Sequence, residues 1–133
     1  MYIRFYSGVV DERSHVATGL FNAASDLWWS EEIADYDFEE LSDLRWWFDK
    51  HLESPFDYLP RGKSFVRAVC WFKATAHEHL ARAWELVALL ERNDVLIWTI
   101  KSPRIGYIHY EDEVQVFARP YDDVRVLLGG KRK

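Results

Sequence analysis

Cysteine is nearly absent from this chain. Cys70 is the only one among 133 residues, so an internal disulfide framework is excluded. It lies in the apolar run FVRAVCWF at 65–72, which predicts a buried structural thiol. Its flanking residues, Val69 and Trp71, provide no positive charge that would lower the thiol pKa, which disfavours a nucleophilic cysteine.

Glycine-rich and nucleophile motifs are missing as well. Gly8, Gly19, Gly62 and Gly106 are isolated, and the spacing of a dinucleotide-binding loop or a P-loop does not occur. A serine nucleophile elbow is also absent. The sequence therefore predicts no nucleotide or other cofactor.

Long hydrophobic runs are lacking. No segment approaches the roughly 18 uncharged apolar residues that a membrane-spanning helix needs. The first apolar run is interrupted by Arg4, Ser7 and Gly8, which is not the pattern of a secretory signal. We expect a cytoplasmic protein that does not cross a membrane.

Hydrophobic residues form 49% of the chain and charged residues 29%, which is typical of a globular domain. The length fits one domain, predicted here at 1–128 and followed by a flexible basic tail at 129–133. The net charge of −5 disfavours attraction to nucleic acid or anionic lipid. Acidic residues concentrate between Asp26 and Asp57, a pattern that suits either a basic partner or a solvated helix face.

Hydrophobic periodicity and turn residues predict the elements in the order β-α-α-β-α-β-β-β. The strands are expected at 2–10, 65–72, 95–100, 107–110 and 114–118, and the helices at 18–29, 35–52 and 75–92, with a strand or helical turn at 122–128. Residues 53–64 contain Pro55, Pro60 and Gly62 and are predicted to form the longest loop.

The predicted helix ends rest on capping patterns. Thr18 is expected to cap the first helix, and Asp37 with Glu40 has the spacing of a capping box in the second. Thr75 with Glu78 has the same spacing in the third helix, and Asn93 is expected to end that helix in a left-handed conformation. We also expect the strand–helix–strand unit at 65–100 to join two parallel neighbours by a right-handed crossover.

These expectations define an α+β domain with a mixed sheet of four to five strands and three helices on one of its faces. The segments CWFK, HEHLARAWELVALLERND and GYIHYEDEVQVFARP, within residues 68–120, resemble a family of small bacterial proteins of uncharacterised function. The resemblance implies a bacterial or phage setting and carries no catalytic or binding residue with it.

Aromatic residues form 17% of the chain, and four of the seven tryptophans form two adjacent pairs on predicted helices. Successive helical residues point about 100° apart, so one member of each pair lies off the core stripe. Tryptophan is enriched in protein interfaces. We therefore predict a binding surface comprising Trp29, Trp46, Trp47, Asp43 and Asp49. Packing of the helices on one another would explain the same pairs, and a cage for a cation or sugar is a further alternative.

An enzyme is the alternative interpretation, with catalytic residues drawn from His79, His109, Glu111 and Glu113. His77 and His79 are two apart on a helix and cannot bind one metal ion together. The acidic run at 111–113 is more typical of a solvated turn than of a cation site. The sequence thus predicts no metal.

A nucleic-acid-binding strip is a second alternative, because cations with interleaved aromatic rings suit single-stranded nucleic acid. Its members would be Arg61, Lys63, Arg67, Lys73, Lys101, Arg104, the basic tail, Phe65, Trp71 and Trp98. The overall acidity favours a protein partner instead. We therefore expect a protein-binding regulator, inhibitor or immunity factor without catalytic activity, with self-association left open.

Overall fold

The structure is a computed structural model, and it describes residues 1–10, 17–55 and 68–121. Within these residues, three helices and six strands follow one another. They are β1 (Tyr2–Val10), β2 (Ala17–Gly19), α1 (Leu20–Trp29), α2 (Asp35–His51), β3 (Val69–Lys73), α3 (His77–Arg92), β4 (Ile97–Ser102), β5 (Tyr107–Glu111) and β6 (Gln115–Arg119). The α+β class and the predicted order are confirmed, with the three-residue β2 added to them.

Strand β1 pairs with three other strands of the sheet. Ile3 pairs with Phe72 of β3 and also with Lys101 of β4, so these two strands lie on opposite edges of β1. Further along, Tyr6 pairs with Gly19 of β2 on the β3 side. The sheet continues from β3 to β6 and then to β5.

Every strand pairing among the described residues is antiparallel. Since β3 and β4 each run antiparallel to β1, they run parallel to one another with β1 between them. Helix α3 therefore does join two parallel strands, but the expectation that they would be neighbours is wrong. Strand β1, far away in sequence, inserts between them, and no local pattern around α3 signals this.

The three helices cover one face of the sheet. Ile3 and Phe5 of β1 and Phe72 of β3 meet the apolar stripes of the helices there. The buried helix residues are Leu20, Ala23, Ala24, Leu27, Leu41, Leu44, Phe48, Ala83, Leu86, Val87, Leu89 and Leu90. These residues lie on one side of each helix, because only one side can reach the sheet.

A second, smaller apolar cluster lies on the opposite face. It contains Val69, Trp71, Ile105, Val116 and Ala118. Strands β3 and β6 therefore bury side chains on both faces, which explains why their sequences lack a polar alternation. Arg4 also lies buried, and desolvation lowers its pKa to about 10.

The predicted helix caps are wrong. Thr18 belongs to β2, and Gly19, Ala34 and Ala76 precede the three helices without a side-chain cap hydrogen bond.

The end of α3 also differs from the expectation. Asn93 has φ −107° and is not left-handed, whereas Asp94 has φ 67°. Asn93 donates from its side chain to the Leu89 carbonyl and to Asp37.

Several predictions lie outside the described residues. They concern most of the 53–64 loop, the first residues of the 65–72 strand, the 122–128 element and the tail at 129–133. In the described part, the hairpin of β5 and β6 is confirmed as antiparallel. No helix there is both long enough and apolar enough to traverse a bilayer.

Candidate functional site

Helix α2 packs against both α1 and α3, and Trp28 lies in the contact between α1 and α2. The Trp28 ring stacks on Phe38, with centroids 5.3 Å apart, and its Nε1 donates to Ser42 Oγ at 3.2 Å. The Arg45 guanidinium lies 4.9 Å from the ring centroid. Trp28 is therefore the member of its pair that joins the two helices.

Trp29, the other member, is the last residue of α1 and remains 70% exposed. Its described ring contact is with the edge of Trp28, at 4.9 Å between centroids. Since the core stripe of α1 ends at Leu27, the next two positions rotate away from the sheet. An apolar ring is thus presented to solvent at the end of the helix.

Trp46 lies on the outward side of α2 and is 61% exposed. The buried residues of this helix, Leu41, Leu44 and Phe48, occupy the opposite side. Asp43 and Asp49 are exposed one turn before and after Trp46, where side chains three apart are neighbours.

A cation also lies beside this ring. The ammonium of Lys50 is 5.9 Å from its centroid. Trp29 and Trp46, with Asp43 and Asp49, are hereafter called the outward surface. Exposed Tyr36 lies at the start of the same helix.

Trp47 is positioned differently from the other predicted surface residues. It is half-buried and stacks on His51 at 4.4 Å between centroids, with the rings 15° from parallel. His79 of α3 meets it edge-on at 4.9 Å, and the Arg82 guanidinium lies 5.1 Å above it. The structure therefore places Trp47 in the contact between α2 and α3. Trp28 has the corresponding position in the contact between α1 and α2.

An ion-paired cluster joins the other end of α2 to α3. Arg92 Nη2 donates to Asp37 Oδ1 and to Glu40 Oε1, both at 2.8 Å, and Asn93 Nδ2 donates to Asp37 Oδ2 at 3.2 Å. The hydrogen bond from Arg92 holds the pKa of Asp37 below its usual 3.8, against the opposing effect of desolvation. Sequence reasoning missed this cluster, since its partners are more than 50 residues apart.

The residues of the enzyme alternative are held in separate contacts. His79 Nε2 lies 2.7 Å from the carbonyl of His51, while His109 has Phe117 as a ring neighbour at 6.5 Å. Glu111 forms an ion pair with Lys73 at 2.7 Å, and Glu113 is exposed. Nothing in the described contacts brings His79 and His109 to a common point.

The turn between β5 and β6 is organised by Asp112. Its carboxylate accepts hydrogen bonds from Tyr110 and from the backbone N–H groups of Val114 and Gln115. These hydrogen bonds outweigh the desolvation of the carboxyl and lower its pKa. Within residues 1–10, 17–55 and 68–121, no group of three or more potential metal ligands occurs.

The predicted burial of Cys70 is wrong. Its neighbours Val69 and Trp71 point into the smaller apolar cluster, and Cys70 points to the other face of β3, where it is exposed. Protein atoms around the sulfur still desolvate the thiolate and raise its pKa to about 12, although the charge of Arg4 opposes this shift. An exposed thiol with this pKa is a poor nucleophile at neutral pH.

The basic strip of the nucleic-acid alternative is not continuous in the described part. Trp71 is only 1% exposed and cannot stack on a base, and Lys73 is ion-paired with Glu111. Trp98 and Lys101 are exposed on β4. Arg61, Lys63, Phe65 and Arg67 lie outside the described residues.

Comparison with known proteins gives no relative. No family model matches the chain, and no curated protein or solved structure is significantly similar to it.

Proposed function

We propose that this protein is a protein-binding module that acts as a regulator, inhibitor or immunity-type factor, and that α1 and α2 contribute the binding surface. The observation that carries the proposal is the exposure of Trp29 and Trp46, at 70% and 61%, on helices whose core stripes are already complete without them.

Exposed tryptophan has an energetic consequence. Each large ring left in water forgoes the gain of burial, which is about 25 cal/mol per Å² of apolar surface. A scattered exposed residue needs no explanation, but two exposed tryptophans on consecutive helices are typical of anchors that a partner buries. Their partners in the adjacent pairs, Trp28 and Trp47, supply the interhelical packing, so the outward rings are not needed for it.

The surrounding charge indicates the chemistry of the partner. Asp43 and Asp49 flank Trp46, and Glu31 and Glu32 follow Trp29 along the chain. Lys50 is the cation seen over the Trp46 ring. An acidic rim around aromatic anchors favours a partner with Lys or Arg side chains at its edge, because complementary charge accelerates association and fixes orientation.

The test is affinity purification of tagged protein from the cells that naturally produce it, followed by mass spectrometry. Wild type should retain a partner in stoichiometric amount. Trp46→Ala should lose that partner while remaining folded by far-UV circular dichroism.

Trp84→Ala is the matched control, since Trp84 is a 48% exposed helical tryptophan on α3 that lies outside the outward surface. It should retain the partner. The proposal would be refuted if Trp46→Ala recovered as much of the partner as wild type does, or if wild type recovered no stoichiometric partner.

A further inference from the structure

We infer that β4 is a second docking edge, and that its occupant is the β4 strand of another copy of this chain, paired antiparallel across a two-fold axis. This interface lies apart from the outward surface on α1 and α2, and it goes beyond the proposed function.

The first observation is the free edge of the sheet. Among the described residues, β4 pairs with β1 and with no other strand. Its pairing is regular over all six residues, from Ile97 with Ser7 to Ser102 with Tyr2. A regular edge strand presents a row of unpaired N–H and C=O groups, which is a template for another strand.

The opposite edge of the sheet, formed by β5, is irregular. Strand β5 carries a register shift between Ile108 and Tyr110 where it pairs with β6. Such a shift bends an edge and interrupts the ladder that an incoming strand would extend, which is a common protection against edge-to-edge pairing. Strand β4 has no such irregularity.

Exposed apolar side chains lie on both faces of the β4 edge. On one face, Leu96 and Trp98 are 61% and 53% exposed. On the helix face, Trp84 of α3 contacts Phe5 of β1, and Phe5 pairs with Thr99 of β4. The Trp84 side chain is 48% exposed. A strand added here would be covered from both faces.

Charge favours a second copy as the occupant. Asp94 is exposed just before β4 and Lys101 is exposed near its end, and neither makes an ion pair among the described residues. Antiparallel pairing of two identical strands brings the start of each beside the end of the other. Asp94, before β4 of one copy, then lies toward the strand end that carries Lys101 in the second copy, and this arrangement occurs twice.

The net charge of −5 opposes association at long range. The interface must therefore depend on short-range terms, which here are the backbone ladder and the cross-strand packing of Trp98 and Leu96. An isologous contact of this kind closes on itself and predicts a dimer, with no larger assembly.

The test is sedimentation velocity of the full chain from about 1 to about 200 µM, a range in which a micromolar dimer is resolved. Wild type should shift from monomer to dimer as concentration rises. Trp98→Lys should raise the dissociation constant by about thirtyfold or more, because it removes a central aromatic anchor and places like charges together.

Ile108→Lys is the matched control, because Ile108 is 50% exposed on the other edge strand. It should leave the dimer intact, as should Trp46→Ala, which separates this interface from the outward surface. Wild type that stays monomeric throughout, a dimer that tolerates Trp98→Lys, or assembly beyond a dimer would overturn the inference.

A further measurement does not depend on any variant. Hydrogen exchange of wild type should show β4 amides gaining protection as concentration rises, while β5 amides do not. Protection of β4 that is independent of concentration would contradict pairing between copies.

Discussion

Alanine at Trp46 should separate binding from folding. The ring buries about two-fifths of its surface, since 61% is exposed. A fully buried tryptophan removes roughly 150–250 Å² from water, worth about 4–6 kcal/mol at 25 cal/mol per Å². The buried fraction of Trp46 therefore contributes about 2 kcal/mol, and the higher helix propensity of alanine returns about 0.5 kcal/mol. We expect Trp46→Ala to lower the free energy of unfolding by about 1–2 kcal/mol.

Trp71 provides the comparison, because it is 1% exposed at the centre of the smaller cluster. Its replacement by alanine removes the whole contact and leaves a cavity, so the expected loss is about 3–5 kcal/mol.

Urea denaturation followed by far-UV circular dichroism measures both losses without relying on the fluorescence of several tryptophans. A loss of about 3 kcal/mol or more for Trp46→Ala would refute the reasoning, because it would identify this ring as part of the core.

Three further predictions concern other parts of the molecule. The pKa of Asp37 lies below 3.8 in the folded protein, so its contribution to stability is present above the unfolded pKa and is lost as pH falls through the folded value. Asp37→Asn should therefore destabilise the protein at about pH 6, and this deficit should shrink as pH falls below about 4, in urea titrations compared with exposed Asp43→Asn; a deficit independent of pH would contradict this. Gly106 has φ 128°, and a Cβ there would meet the Arg119 carbonyl and lie 2.8 Å from Pro120 Cα. Gly106→Ala should cost more than about 2 kcal/mol by thermal denaturation, and an unchanged Tm would contradict the strain. The Cys70 pKa of about 12 predicts alkylation by iodoacetamide at about pH 7.5 at least tenfold slower than that of a small thiol, and an equal rate would be inconsistent with that pKa.

Local patterns predicted most of the fold. The three helices and the hairpin of β5 and β6 depend on residues near one another in sequence, and these predictions are confirmed. The insertion of β1 between β3 and β4 depends on pairing over about 70 to 100 residues, and periodicity contains no information on it.

Local patterns also predicted part of the candidate site, namely the exposure of one ring in each tryptophan pair. The angular step along a helix requires one ring of each tryptophan pair to leave the core stripe, and Trp29 and Trp46 do so. The angular step does not determine which element packs against the other side of the helix. Trp47 contacts His51 and His79 because α3 packs beside α2, and this neighbour is fixed only in the folded chain.

Capping patterns failed because a side chain with a suitable spacing can have a better partner elsewhere. Asp37 has the spacing of a cap, yet its carboxylate accepts hydrogen bonds from Arg92 and Asn93 at the end of α3. A charged partner gives a stronger hydrogen bond than a backbone N–H group does.

The most direct measurement is the dissociation constant between the purified protein and the partner recovered with it, for wild type and for Trp46→Ala, by isothermal titration calorimetry. A central aromatic anchor carries at least about 2 kcal/mol, so the variant should bind about thirtyfold more weakly or worse, while Trp84→Ala binds as wild type does. Equal affinity of Trp46→Ala and wild type would contradict the assignment of this surface.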